Sequence, residues 1–135
     1  MKYLLDTNVI SETWKPKPDA TVREWLEAHG EDCGVPAPVL AEIADGIFAE
    51  SGPRRDALLR KLHRFLAEWG EHVVPWDAAA TLSWGQQQHS APLKRQPQPL
   101  WDSVIEALAL SRGLVVVTRN TGDFRQAQTL NPWAS

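Results

Sequence analysis

One cysteine, Cys33, stands among 135 residues, so the chain has no internal disulfide and no cysteine cluster for zinc or iron–sulfur. Cys33 reads as a small strand residue in a protein of a reducing, cytoplasmic compartment. Long apolar runs are also missing. None approaches the ~18 residues of a membrane span, so no membrane partner is expected. The stretch after Lys2 is interrupted at Asp6, which is not a signal-peptide pattern. Positive charge is not in excess either: 14 Lys and Arg against 17 Asp and Glu give a net −3. That balance excludes holding nucleic acid by bulk charge alone. His29, His63, His72 and His89 form no ligand-spaced pair and read as surface or packing residues. No Ser–His–Asp or Cys–His arrangement, repeat, low-complexity tract or linker is found. Residues 1–135 read as one domain that buries roughly two-thirds of its unfolded surface.

What is present is an alternation of strand and helix signals. Leu4-Leu5 ends a buried strand, and Val9-Ile10 opens a helix that Pro16 and Pro18 terminate. Asp19 caps a second helix carrying Val22, Trp25 and Leu26, with Gly30 closing it. Cys33-Gly34-Val35 is a short strand, and Pro36 and Pro38 lead into a helix with Leu40, Ile43 and Ile47 at helical spacing.

After Ser51-Gly52-Pro53, a long amphipathic helix buries Leu58, Leu59, Leu62, Phe65, Leu66 and Trp69. Its opposite face carries Arg54, Arg55, Arg60, Lys61 and Arg64, a solvated face that can also meet RNA phosphates or an acidic partner. His72–Trp76 is a strand, and Asp77 caps the next helix. Residues 90–99, with three prolines, form an extended, mobile loop. A helix starts at Leu100-Trp101-Asp102, buries Val104, Ile105, Leu108 and Ala109, and ends at Gly113. Leu114–Val117 has the β-branched character of a central parallel strand, and Thr129-Leu130 adds an edge strand. The pattern predicts an α/β fold: a mostly parallel central sheet covered by helices on both faces.

Four acids fall at equivalent places in that pattern. Asp6 follows the first strand, Glu42 enters the helix after the second, Asp102 starts a helix, and Asp123 follows the strongest strand. The carboxyl ends of parallel strands lie along one edge, so these four can meet. Each also has a plain reading as a helix cap or ion-pair partner. Two unit charges ~4 Å apart repel by about 4 kcal/mol at an effective dielectric of about 20. Several together rival a folding margin of roughly 5–15 kcal/mol unless some are protonated or cations lie between them. All-oxygen ligation selects Mg²⁺, with Mn²⁺ as a substitute, over zinc. Such a site suits phosphodiester hydrolysis by activated water. With those four acids set aside, the charge balance turns slightly positive, which permits a nucleic-acid substrate. Most of the seven tryptophans read as core, while Trp14 and Trp101 stand near the acids and offer stacking faces for a base.

Leu4-Leu5-Asp6-Thr7-Asn8-Val9-Ile10-Ser11-Glu12 resembles the opening motif of PIN-domain proteins, specifically VapC-type toxins of the FitB-like branch. Val39-Leu40-Ala41-Glu42-Ile43 with Gly46-Ile47 is similar to the second acidic motif, and Val74-Pro75-Trp76-Asp77 to a Pro-Phe-Asp stretch. Asp102-Ser103-Val104-Ile105 is similar to the third motif, Thr118-Arg119-Asn120 through Asp123-Phe124 to the fourth, and Asn131-Pro132-Trp133 to the family's ending.

The resemblance implies a Mg²⁺-dependent endoribonuclease, the toxin of a type II toxin–antitoxin pair. Its partners would be an RNA substrate, a cognate antitoxin and a second copy of itself in a homodimer, within a larger toxin–antitoxin complex. By motif position Asp6, Glu42 and Asp102 bind metal, Asn8 and Thr118 are polar supports, and Arg119 and Asn120 support the site or substrate. The fourth motif departs from the pattern, since Asn120 stands where many relatives carry an acid; Asp123 is the expected fourth acid. The alternative is a catalytically inactive PIN-like or phosphoacceptor-type regulatory module, for which Arg119 would replace the usual late-strand lysine.

Overall fold

Short apolar stretches separated by polar, helix-starting residues define five strands in the computed structural model, which describes residues 1–90 and 97–133. They are β1 (Tyr3–Leu5), β2 (Cys33–Pro36), β3 (Val73–Val74), β4 (Val115–Val117) and β5 (Thr129–Leu130). All pair in parallel, in the order β3-β2-β1-β4-β5. The first strand in sequence is therefore central. Leu4 and Leu5 lie opposite Val116 and Val117 of β4, and Leu4 lies opposite Gly34 of β2. Leu4, Leu5, Val35, Val116 and Val117 are almost wholly buried. Burying a side chain of this size contributes about 1.5–3 kcal/mol, which accounts for such short strands being well defined.

Six α-helices among the described residues flank the sheet: α1 (Thr7–Thr13), α2 (Ala20–His29), α3 (Ala37–Phe48), α4 (Gly52–Trp69), α5 (Ala78–Gln88) and α6 (Leu100–Arg112). Their ends follow local chemistry. The carboxylates of Asp6, Asp19 and Asp77 each accept from a backbone N–H in the first turn of α1, α2 and α5. On α3, Val39, Ile43 and Ile47 form the buried stripe. Gly113 ends α6 with φ +67°, the left-handed conformation that glycine adopts most cheaply. No helix among the described residues is long and apolar enough to cross a membrane.

Several expectations need correction. Gly30 does close α2, but in a right-handed conformation that continues into a 3₁₀ turn and not in the left-handed one common at helix ends. Leu66 is exposed, because Leu62 and Phe65 fill the inward side of α4 and residue 66 lies about 100° further round. The strand expected over 72–76 shrinks to Val73–Val74. His72 belongs to the preceding 3₁₀ turn, where its Nδ1 meets the Cys33 carbonyl at 2.9 Å. Asp102 is not an N-cap; Pro99 holds that position, and Asp102 lies inside the first turn of α6. Of the loop read over 90–99, residues 91–96 lie outside the described residues.

Gly34 is the position where the sheet leaves no room. A Cβ there would lie 2.5 Å from Met1 Sδ and 2.6 Å from Val74 Cγ2. Gly34→Ala is therefore expected to cost about 1–3 kcal/mol through overpacking. Thermal denaturation checks this; an unchanged melting temperature would show that both neighbours swing aside freely.

Candidate active site

Asp6 is the fixed point from which the site is built. It immediately follows β1, and its backbone N–H donates to the Val117 carbonyl at 3.0 Å, extending the β1–β4 pairing by one step. Its side chain is 6% exposed. Oδ1 accepts from the Thr7 N–H at 2.7 Å, and Oδ2 accepts from the Thr118 hydroxyl at 2.8 Å. Asp6 thus caps α1 and is anchored to the residue after β4.

The polar supports lie around that anchor. Asn8 Nδ2 donates to Thr118 Oγ1 at 3.2 Å, and Asn8 Oδ1 accepts from the Arg119 N–H at 3.3 Å. The Asn120 N–H also donates to Thr118 Oγ1, at 3.0 Å. These neutral donors orient the Asp6 carboxylate without neutralising it. Glu42, on α3, accepts from the Thr7 hydroxyl through Oε1. Among the described residues no donor is bonded to the Asp102 carboxylate.

Asp6, Glu42 and Asp102 line a single open cleft of about 430 Å³ with Thr7, Asn8 and Asn120. Two of these acids carry the electrostatic mark of crowding. Burial pushes Asp6 above its ordinary value, against the hydrogen bonds from Thr118 and Thr7, with the charges of Glu42 and Asp123 adding to the rise. Burial, then the charges of Asp6, Asp123, Glu42 and Glu106, push Asp102 up to about 6. Asp123 stands differently. It lies exposed on a 3₁₀ turn (Thr121–Asp123) outside the cleft lining, although its charge reaches both Asp6 and Asp102.

The rim is cationic and aromatic. Lys15, Arg119 and Trp133 line the cleft mouth, with the Arg119 guanidinium 5.2 Å from the Trp133 ring centroid. Glu12, also on the cleft wall, is buried, bonded to Lys15 Nζ and the Asp19 N–H, and held below its ordinary pKa by them. Trp14, by contrast, packs edge-on against Phe65 at 6.2 Å, in a neighbouring groove between α1, α2 and α4. That groove has a volume of about 560 Å³ and an apolar floor including Val22, Leu26 and Trp69. Two features escape a reading of the sequence: Trp133 as a wall of the cleft, and Glu106, a carboxylate with no exposed surface. The latter had a signal, an acid on the apolar side of an amphipathic helix.

A hard dication suits the donors in kind. The cleft lining holds four carboxylates and neutral oxygen donors with no histidine or cysteine; Glu12 is paired with Lys15, and burial and mutual repulsion raise Asp6 and Asp102. Their spacing is open: among the described residues no three His, Cys, Asp or Glu side chains are grouped closely enough to enclose an ion.

Comparison with known proteins places these features in a family. The PIN domain family matches residues 3–130. The VapC ribonuclease Y4jK of Sinorhizobium fredii is 34% identical over 135 residues, covering 96% of each chain. Toxin FitB of Neisseria gonorrhoeae is 32% identical, covering 96% of this chain and 97% of that protein. The crystal structure of FitAcB from Neisseria gonorrhoeae superposes with a TM-score of 0.86 at 30% identity, covering 98% of this chain and 99% of that one.

The raised acids set a pH dependence. An acid whose pKa is higher in the fold than in the unfolded chain stabilises the fold below its unfolded value, 3.8 for Asp102, and loses that contribution as pH rises through about 6. The metal-free protein is therefore expected to lose stability from Asp102 over that interval, while Glu12 acts in the opposite sense at lower pH. Asp102→Asn should flatten the loss and stabilise the metal-free protein at neutral pH by about 1–2 kcal/mol. Melting temperatures of both proteins across pH 4 to 8 (about one unit apart) check the sign.

Proposed function

The chain belongs to the PIN domain family, and from that premise we propose that it is a divalent-metal-dependent endoribonuclease, the toxin of a toxin–antitoxin pair. One observation carries the reading: Asp6, Glu42 and Asp102, from three separate elements, open onto one cleft lined with oxygen donors. Its relatives named VapC ribonuclease and Toxin FitB support the same class.

Asp6, Glu42 and Asp102 are the residues that would hold Mg²⁺ or Mn²⁺, with Asp123 the further acid whose charge reaches them. When bound, such an ion would lower the pKa of a water so that it can lose a proton and serve as nucleophile, and would supply positive charge for the departing oxygen. The chain's own part is orientation. Thr118 and the Thr7 N–H fix the Asp6 carboxylate, and the Thr7 hydroxyl fixes Glu42. Asn8 ties Thr118 to the Arg119 N–H, and the Asn120 N–H donates to the Thr118 hydroxyl. Lys15 and Arg119 at the mouth offer charge to the RNA phosphates that an acidic floor repels.

The groove beside the cleft suits the antitoxin. Its floor is apolar, its rim carries Arg23, Lys61 and Arg64 against Glu27 and Glu68, and it shares Glu12 with the cleft wall. A partner segment lying there ends beside the catalytic acids. Exposed Phe48, Leu82 and Leu100 offer apolar area for a second copy of the chain.

Asp6→Asn and Asp102→Asn are each expected to lower Mg²⁺-dependent RNA cleavage by about 100-fold or more while leaving a folded protein. Mg²⁺ at about 100 times its dissociation constant should stabilise the wild type by about 2.7 kcal/mol. Undiminished cleavage by both variants would end the proposal. Leu26→Glu, in the groove, is expected to weaken antitoxin binding about tenfold without loss of cleavage. Titration of the two purified proteins measures the first effect, and an RNA cleavage assay the second.

A further inference from the structure

Glu106 is fully buried, lies four residues after Asp102 on α6, and is absent from the cleft lining. Burying a carboxylate is costly unless hydrogen bonds satisfy it. Its Oε2 accepts from the N–H groups of Gln126 at 3.0 Å and Ala127 at 3.1 Å. Its Oε1 accepts from Gln98 Nε2 at 3.2 Å. The same Gln98 Nε2 donates to the backbone carbonyl of Asp123 at 2.8 Å. Both Gln98 partners are acceptors, so the amide can face them only with its nitrogen. That orientation leaves Gln98 Oε1 buried without a partner among the described residues, so the bridge persists against a desolvation cost.

These bonds join three pieces of chain: residue 98 just before α6, α6 itself, and the segment between β4 and β5 that carries Asp123. We propose that Glu106 and Gln98 are positioning residues, which act by fixing the Asp123 turn relative to the helix that carries Asp102. The inference rests on the nuclease reading above and adds to it how the exposed fourth acid is held near the cleft. Glu106 anchors the far end of the turn through residues 126 and 127, and Gln98 ties its near end through the Asp123 carbonyl. Neither side chain lines the cleft.

The test separates positioning from plain stability. Gln98→Ala removes the bridge but leaves both backbone bonds to Glu106. Glu106→Gln keeps an oxygen for residues 126 and 127 but presents an amide nitrogen to Gln98, which must then turn its own nitrogen away from Asp123. Both variants are expected to keep the wild-type fold and lose about tenfold in kcat with KM unchanged. Mn²⁺ affinity, measured calorimetrically without RNA, should fall by a similar factor. In an Asp123→Asn background, Gln98→Ala should add less than about twofold, because its effect passes through that residue.

Equal losses in the two backgrounds, or an unchanged kcat and Mn²⁺ affinity in Gln98→Ala, would overturn the proposal. So would wild-type cleavage by Asp123→Asn, an outcome that leaves the nuclease reading intact if Asp6→Asn is inactive. If the wild type cleaves no RNA, the nuclease reading falls, and Mn²⁺ affinity still decides whether Gln98 acts through Asp123.

Discussion

Like charges brought to one edge of a sheet must be held there by groups other than one another. The parallel pairing of β1 with β4 does this. It sets Leu5 beside Val117, so the next residue of each chain segment, Asp6 and Thr118, meet side by side. From that contact the site follows: the threonine hydroxyl holds the carboxylate, Asn8 holds the threonine, and the backbone of 119–120 closes round both. Every one of these partners is neutral. The Asp6 carboxylate is thus oriented by hydrogen bonds from groups that carry no charge to cancel its own.

The consequence is stored electrostatic cost. Asp6 and Asp102 are raised above ordinary carboxylates by burial first and by neighbouring acids second. A fold optimised for stability alone would place amides or apolar groups there, and the deeply buried β1–β4 core supplies the margin that tolerates them. The cationic rim belongs to the same logic. Lys15 and Arg119 line the same cleft, Lys15 bonded to Glu12 and Arg119 set over the Trp133 ring, so positive charge stands beside the acids.

Helix α6 shows how one charge takes two roles within a single turn. Asp102 opens onto the cleft with no donor bonded to its carboxylate among the described residues. Glu106 lies wholly inside, with N–H donors from residues 98, 126 and 127. Residue type does not separate them. What separates them is whether backbone donors from a distant loop converge on the carboxylate.

Sequence alone determined the α/β alternation and most element boundaries, since these rest on local forces. Aspartate caps at 6, 19 and 77, the stripe at Ile43 and Ile47, and the reversal at Gly113 need only neighbours within a turn or two. The sharing of a cleft by Asp6, Glu42 and Asp102 was legible as well, because parallel strands share one carboxyl edge. Only the tertiary structure decided the rest. It exposed Asp123 on a turn outside the cleft lining and brought Trp133 to the cleft. It turned Leu66 outward and buried Glu106 against a loop 20 residues away. Those outcomes depend on which distant backbone groups arrive beside a side chain, and periodicity along the chain carries no record of that.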